Sequence, residues 1–468
     1  MKVTVKNLGT IKQADVTIGD LTIICGQNNT GKSYVTHATY GFFDYLLSNA
    51  SFPVDGHIIE TLLEEGAVQL PLQPYQADLA LHIDNAAKNY SEMLFQVFAS
   101  NEKLFQESEL KFDLENTGDT SFSQVQLTIG SAKKSVLKIQ SSPDNMTLDI
   151  SLIVDKSSDD IPPRHIIENM ISDSITKAVL NKLIPKPFLA SAERTGAAIF
   201  QKELDFTRNR LVEMLGDKSS KISLVQLLGK FSGEYPLAVR RNVDFIREIP
   251  HITNRESYIS KHHPELLTSF QDIIGGEYKV SRDGEVQFIP ASNKRIRLSM
   301  VESSSAVRSL LDIGFYLRHE AEPGDLLMVD EPELNLHPEN QRRIARLFAR
   351  LVNIGIRVFI TTHSDYIIKE LNTLIMLNQQ DEYLETIAKQ ENYLREELLD
   401  AEKLRVYIAK DDLILVDGMT RKTRCGTLVP ADIDTKLGIE APSFDKTIEE
   451  MNRIQEEIVW GVSADAGL

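Results

Sequence analysis

This chain has almost no cysteine. Cys25 and Cys425 are the only two in 468 residues, and they lie far apart. No disulfide framework and no zinc spacing follows, so a reducing, cytoplasmic setting is expected. Long apolar runs are missing as well. Nothing approaches the roughly 18 residues that span a bilayer, so no membrane segment is expected. The first residues, Met1-Lys2-Val3-Thr4, run straight into a strand pattern without a signal-like apolar stretch. Apolar residues nowhere keep a heptad rhythm over many turns, which excludes a long coiled coil. Basic residues are outnumbered by acidic ones, 51 to 68, for a net charge of −17. That balance argues against a broad nucleic-acid surface and leaves local ones open. The candidates are Lys294-Arg295-Ile296-Arg297, Arg240-Arg241, and Arg342-Arg343 with Arg346 and Arg350. The last set recurs at helical spacing and reads more simply as a solvated or interface face.

What is present is concentrated in two places. The apolar run Leu21-Thr22-Ile23-Ile24-Cys25 leads into Gly26-Gln27-Asn28-Asn29-Thr30-Gly31-Lys32-Ser33, and a helical pattern starts at Tyr34. Strand, Gly-x-x-x-x-Gly-Lys-Ser and helix together make a phosphate loop. Two glycines let the backbone wrap tightly, so that successive N–H groups point inward, and the helix dipole favours an anion there. Lys32 would reach the β- and γ-phosphates, and Ser33 would hold Mg²⁺. Far downstream, the apolar strand Leu326-Leu327-Met328-Val329 ends in Asp330-Glu331. Carboxylates at the carboxyl end of a buried strand sit where open α/β sheets bind ligands. Asp330 would complete the Mg²⁺ shell. Glu331 is placed to polarise water as a general base.

Pro332-Glu333-Leu334-Asn335-Leu336-His337-Pro338 follows directly. Then come a helical pattern from Asn340 to Leu351 and a second apolar strand, Arg357 to Thr362, ending in His363-Ser364. This string resembles ABC-type ATPase heads of the chromosome-maintenance, recombination-repair and OLD-like families. Among these it looks closest to antiphage-defence ATPases of the Septu and PARIS kind. The resemblance covers residues 1–50 and about 270–375. It implies an α/β P-loop ATPase head that binds ATP with Mg²⁺ and dimerises through its heads. Carried over by position, Glu333 and Asn335 lie in a D-loop that crosses the dimer interface, and His363 senses the γ-phosphate. The signature segment of such heads falls at Glu302-Ser303-Ser304-Ser305-Ala306-Val307-Arg308-Ser309-Leu310. Ser303, Ser304 and Ser305 would donate to the partner's phosphate, or simply cap a helix. The usual Ser-Gly-Gly core is absent. Phe188 to Arg194 looks like the strand-plus-arginine element of the defence-associated members. Arg194 would meet a phosphate, an acidic neighbour or an ordinary surface partner.

The expected organisation has five parts. Residues 1–53 form an N-terminal lobe with the phosphate loop. Residues 54–185 are a large α+β insertion, and 186–269 a helical segment opening with the Arg194 element. Residues 270–380 form the second ATPase lobe, and 381–468 a small α/β extension. Within the insertion, about 54–105 reads as helical. Leu110 to Leu114, Val125 to Ile129, Ser135 to Ile139 and Met146 to Val154 alternate like a four-strand meander. In the tail, Leu404 to Ala409 and Asp412 to Val416 look like two strands, and Phe444 to Trp460 like a helix. Asp411, Asp412, Asp417, Asp432 and Asp434 briefly suggest a nuclease, but no pattern joins them, and cleavage by the isolated chain is not expected.

Three functions compete. One is the ATPase switch or scaffold of an antiphage system that holds a separate effector, often a nuclease. Another is a DNA-binding repair ATPase of the recombination-mediator type. The third, a transporter subunit, fits poorly with the insertion and the missing Gly-Gly.

Overall fold

Leu21, Ile23, Ile24 and Cys25 are fully buried, and so are Leu327, Val329, Val358 and Ile360 from far along the chain. A strand buried on both faces reads as a continuous apolar run. Such runs form the centre of the computed structural model, which describes residues 1–114, 122–131, 134–153, 161–200, 235–379, 381–439 and 450–458.

The chain opens with β1 (Lys2–Leu8), β2 (Ile11–Thr17) and β3 (Leu21–Gly26), then the long helix Lys32–Asn49. Strand β4 (Ala67–Pro71) separates the helices Gly56–Glu65 and Leu79–Glu92. β5 (Glu109–Asp113), β6 (Gln126–Ser131), β7 (Lys134–Ser141) and β8 (Thr147–Leu152) lead to the helix Arg164–Leu180 and β9 (Pro187–Ala190). After the helices Leu237–Ile252 and Pro264–Ile274 come β10 (Gly276–Val280), β11 (Val286–Pro290) and β12 (Leu298–Ser299). The helices Ser305–Ser309 and Leu311–His319 precede β13 (Leu326–Asp330). The helix Pro338–Asn353, β14 (Arg357–Thr362) and the helix Asp365–Met376 follow. β15 (Leu404–Ile414) and β16 (Thr423–Pro430) come last in the main sheet.

That sheet runs β16-β15-β3-β14-β13-β9. All neighbours are parallel except β16, which is antiparallel to β15. Alternate residues face two cores. Ile24, Met328 and Phe359 pack with the helix Lys32–Asn49 and the insertion. Ile23, Val329 and Ile360 pack with the helices Pro338–Asn353 and Asp365–Met376. Register sets Thr362 beside Cys25 and Asp330 beside Thr361. The carboxyl ends of β3, β14 and β13 therefore meet at one edge. This is the α/β P-loop ATPase fold that the motifs imply.

Two placements differ from the sequence pattern. The first strand of the expected meander, β5, leaves it and pairs with β1. Phe112 is drawn there by Phe42 and Phe43, with both ring centroids at 5.4 Å. Its place is taken by β4, from a stretch that reads as helical, in the order β4-β8-β7-β6. In the tail, one strand stands where two were expected. β15 lies beside β3, with Leu404 and Val406 facing one core and Tyr407 and Ala409 the other. Of the expected helix Phe444 to Trp460, residues 450–458 are helical and the remainder lies outside the described residues.

Candidate nucleotide site

The phosphate loop joins β3 to the helix Lys32–Asn49. Gly26 has φ 141° and Gly31 has φ 92°, regions that side chains rarely adopt. Space forbids a side chain too. A Cβ on Gly26 would lie 2.6 Å from the Ala409 carbonyl oxygen, and one on Gly31 2.7 Å from Ile11 Cγ1. Asn28 and Asn29 are exposed at the loop's crest, Asn29 at φ 66°. Thr30 Oγ1 donates to the Gln27 carbonyl at 2.8 Å. Lys32 is buried and curls back over the loop, donating to Gly26 O at 3.0 Å and Gln27 O at 2.8 Å. Burial lowers its pKa, against the pull of Glu331, Asp330 and Glu333.

The facing side is acidic. Asp330 is almost fully buried at the end of β13. Its Oδ1 accepts from the Thr361 hydroxyl on β14. Burial pushes its pKa up, but the His37 ring, Thr361 and the Ser33 hydroxyl together hold it below the usual carboxylate range. His37 lies one helical turn beyond Ser33, on the same face. Its Nε2 sits 3.2 Å from Asp330 Oδ2, a close contact rather than a well-aimed hydrogen bond, since both atoms lack a bonding partner. Glu331 follows at φ 52°, with its N–H donating to Thr361 O at 3.1 Å and Oγ1 at 3.2 Å. Burial, and next the Asp330 charge, raise its pKa, while His363 opposes them. A carboxylate of raised basicity, still open to solvent, is suited to taking a proton from water.

His363 ends β14. Its Nδ1 is 3.7 Å from Glu331 Oε1 and 3.2 Å from Glu333 Oε1. Buried Glu333 is fixed from behind: its Oε1 accepts from Thr362 Oγ1 at 2.8 Å and from the His363 N–H at 2.7 Å. Asn335 is exposed, at φ 61°.

A family model described as AAA ATPase domain matches residues 1–368. The chain belongs to that family. Nucleotide binding and ATP hydrolysis follow from membership in general terms. No curated protein matches the chain in sequence. Similar solved structures include the SMC head domain from Thermotoga maritima, with 10% identity, 92% of this chain and 98% of that one covered, and a TM-score of 0.29. The SmcHead bound to the C-winged helix domain of ScpA has 12% identity, 91% and 97% coverage, and a TM-score of 0.30. The Smc head domain bound to the C-terminal domain of ScpA derived from Pyrococcus furiosus has 12% identity, 98% coverage of both chains, and a TM-score of 0.30. Overlays this loose carry no argument, and the fold rests on the ATPase's own strand order.

The residues fit ATP with Mg²⁺. The loop offers a cradle that a Cβ would fill, a buried ammonium and a hydroxyl. Asp330 Oδ2 is a buried carboxylate oxygen without a hydrogen-bond donor, next to that hydroxyl. An oxygen-only set of this kind suits a hard cation that takes its remaining ligands from water and phosphate.

The signature serines divide their work. Ser303 is buried, its Oγ donating to Ser299 O at 2.8 Å. Ser304 is exposed and caps the helix Ser305–Ser309, accepting from Val307 N at 3.3 Å. Ser305 is the first helical residue. All three are engaged as a capped turn, and no hydrogen bond among the described residues ties them to this chain's phosphate loop.

Arg194 meets neither a phosphate-facing surface nor a carboxylate. It is wholly buried, and its donors go to backbone carbonyls: Nε to Ser309 at 2.5 Å, Nη1 to Ser191 and Asp330 at 2.7 Å each, Nη2 to Glu331 at 2.9 Å. Asp312 is also buried, and neither of its oxygens has a hydrogen-bond partner. Burial pushes its pKa up to about 7, with Arg194 pulling the other way.

The arginine set on the helix Pro338–Asn353 is not a free basic face. Arg342 and Arg346 both grip buried Glu370, at 2.7 and 2.5 Å, and Arg346 stacks over Tyr393 at 4.0 Å. Buried Arg350 reaches Glu396 at 3.1 Å and Ser269 at 2.9 Å. The tail acids are dispersed as well. Asp417 pairs with Lys6 at 2.8 Å and Asp412 with Lys410 at 3.1 Å, while Asp434 accepts from two N–H groups of its own turn.

Sequence reasoning missed His37, Thr361 and Asp312. His37 was findable from its spacing, four residues after Ser33 on a helix that starts at the loop. Thr361 and Asp312 carry no such signal.

Proposed function

We propose that this ATPase is a switch or scaffold subunit of a bacterial antiphage defence system, working in the cytoplasm. Two heads would close on ATP as a homodimer or a higher homo-oligomer and control a separate effector such as a nuclease. Gly26, Asn28, Asn29, Thr30, Gly31 and Lys32 would hold the phosphates. Ser33 and Asp330 would hold Mg²⁺, which neutralises charge on the phosphate oxygens. Glu331 would take a proton from the attacking water, and His363 would hydrogen-bond the γ-phosphate. Ser303 to Ser305 of the second head would complete the site.

The observation that carries this reading is the Glu333 carboxylate. It bonds Thr362 Oγ1 and the His363 N–H, joining the D-loop to the γ-phosphate end of β14. A loop that would meet a second head and a residue that would sense hydrolysis therefore move as one unit, as a switch requires. The folded insertion in place of long arms, and the element from Phe188 to Arg194, favour the defence setting. Against the DNA-repair reading stand the acidic balance and the arginines spent on Glu370 and Glu396.

Phage plating tests the setting. Protection should need both this gene and an adjacent effector gene, and should vanish with Lys32→Ala. Full protection by the Lys32→Ala chain would sink the switch. Salt-dependent DNA binding by the lone chain would instead favour the repair ATPase.

A further inference from the structure

Buried arginines usually pair with carboxylates, because an uncompensated buried charge is costly. Arg194 departs from this. It has five N–H donors in a fixed plane. Four hydrogen bonds use them on carbonyls from three segments: Ser191 behind β9, Ser309 at the end of the signature helix, and Asp330 with Glu331 at the end of β13. None of these bonds goes to a carboxylate, and buried Asp312 favours its charge only through space. Arg194 fixes where backbone goes.

The backbone it fixes is unusual. Glu331 sits at φ 52°, a left-handed conformation uncommon for a residue with a long side chain. Its N–H is held by Thr361 and its carbonyl by Arg194 Nη2. Those two anchors determine where the carboxylate points relative to His363. Through Nε, Arg194 also holds the Ser309 carbonyl, and Ser309 Oγ donates to Leu334 O of the D-loop at 3.1 Å.

We propose that Arg194 is a positioning residue for hydrolysis, keeping Glu331 in its left-handed conformation and tying it to the signature helix. This rests on Glu331 acting as the base. Apart from Asp330, which Arg194 holds only by its carbonyl, the groups that would bind the phosphates lie on the loop after β3 and the helix that follows, and Arg194 makes no hydrogen bond to them. Loss of Arg194 therefore lowers kcat and spares ATP binding. Lysine cannot substitute, since one ammonium cannot fork to carbonyls on three segments.

The test is a double-mutant cycle on the full chain with Arg194→Lys and Glu331→Gln, read as steady-state kcat and KM and as the Kd of ATP. Arg194→Lys should cut kcat by about 10- to 100-fold with Kd within about threefold, and should add nothing in the Glu331→Gln background. Equal losses in both backgrounds would overturn the proposal. Arg194→Gln, which keeps an amide donor, is run in parallel. ATP binding lost along with turnover in both Arg194 variants would assign the residue to folding and overturn the proposal too. Normal turnover by Glu331→Gln alone is a separate failure, that of the base assignment.

Discussion

The nucleotide site has two halves that are built in opposite ways. The phosphate loop is made of backbone, with two glycines at positive φ, a helix start without a side-chain cap and a single cation, Lys32, lying on the loop's own carbonyls. The facing rim is made of side chains. Asp330, Glu331 and Glu333 crowd one sheet edge, held by Thr361, Thr362 and His363. A backbone cradle grips any polyphosphate and cannot easily be tuned. A rim of coupled carboxylates can be, because each charge shifts the others: Asp330 raises the proton affinity of Glu331, while His37, Thr361 and Ser33 keep Asp330 itself ionised. If the loop serves affinity and the rim chemistry, as proposed, damage to each should show in different constants.

The sharpest test is Glu331→Gln. Turnover should fall by about 10²–10⁴-fold, the usual contribution of a general base, with ATP affinity nearly unchanged in a fluorescent-nucleotide titration. Lys32→Ala should do the reverse. The phosphate loses its nearest cation, and affinity should drop by roughly 10- to 100-fold, as for a charged hydrogen bond. Equal binding defects in the two variants would erase the division. A third experiment asks whether the rim is complete within one chain. Lys32→Ala subunits mixed with subunits carrying alanine at Ser303, Ser304 and Ser305 should recover turnover that neither parent has. A dead mixture of chains that still dimerise would confine the serines to their own subunit.

The smallest effect concerns Asp312, behind the rim. Its carboxyl ionises near 3.8 when free and near 7 in the fold. Folding therefore takes up a proton across that window, and stability drains as pH rises through it, levelling off above about 7. Asp312→Asn should be relatively more stable as pH rises from 5 to 8, with Tm up by roughly 2–4 °C at pH 8. A gain independent of pH would mean that the carboxyl is charged throughout.

The phosphate loop, the Asp330-Glu331 pair and His363 were legible because each is a short spacing with a fixed physical task. The strands Lys2–Leu8 and Leu21–Gly26 were legible for the same local reason. What stayed hidden depends on who sits beside whom. Arg194 reads as a charge looking for a charge. Only the packing of β9 against β13 turns it toward carbonyls. Arg342, Arg346 and Arg350 read as an open face until the helix carrying Glu370 lies across two of them. Parallel pairing between Leu404 and Leu21 leaves no mark on either segment.

That last pairing reaches further than topology. Ala409 closes over Gly26 so tightly that no Cβ fits between them. The family match stops at residue 368, yet the strand carrying the phosphate loop is flanked on one side by residues 404–409. A fragment trimmed to the matched region would present Leu21–Gly26 as a bare, apolar strand edge, ready to recruit any passing strand. The tail is thus a built-in partner of the sheet edge that carries the Gly26–Ser33 loop, and whatever pulls on it pulls on that loop.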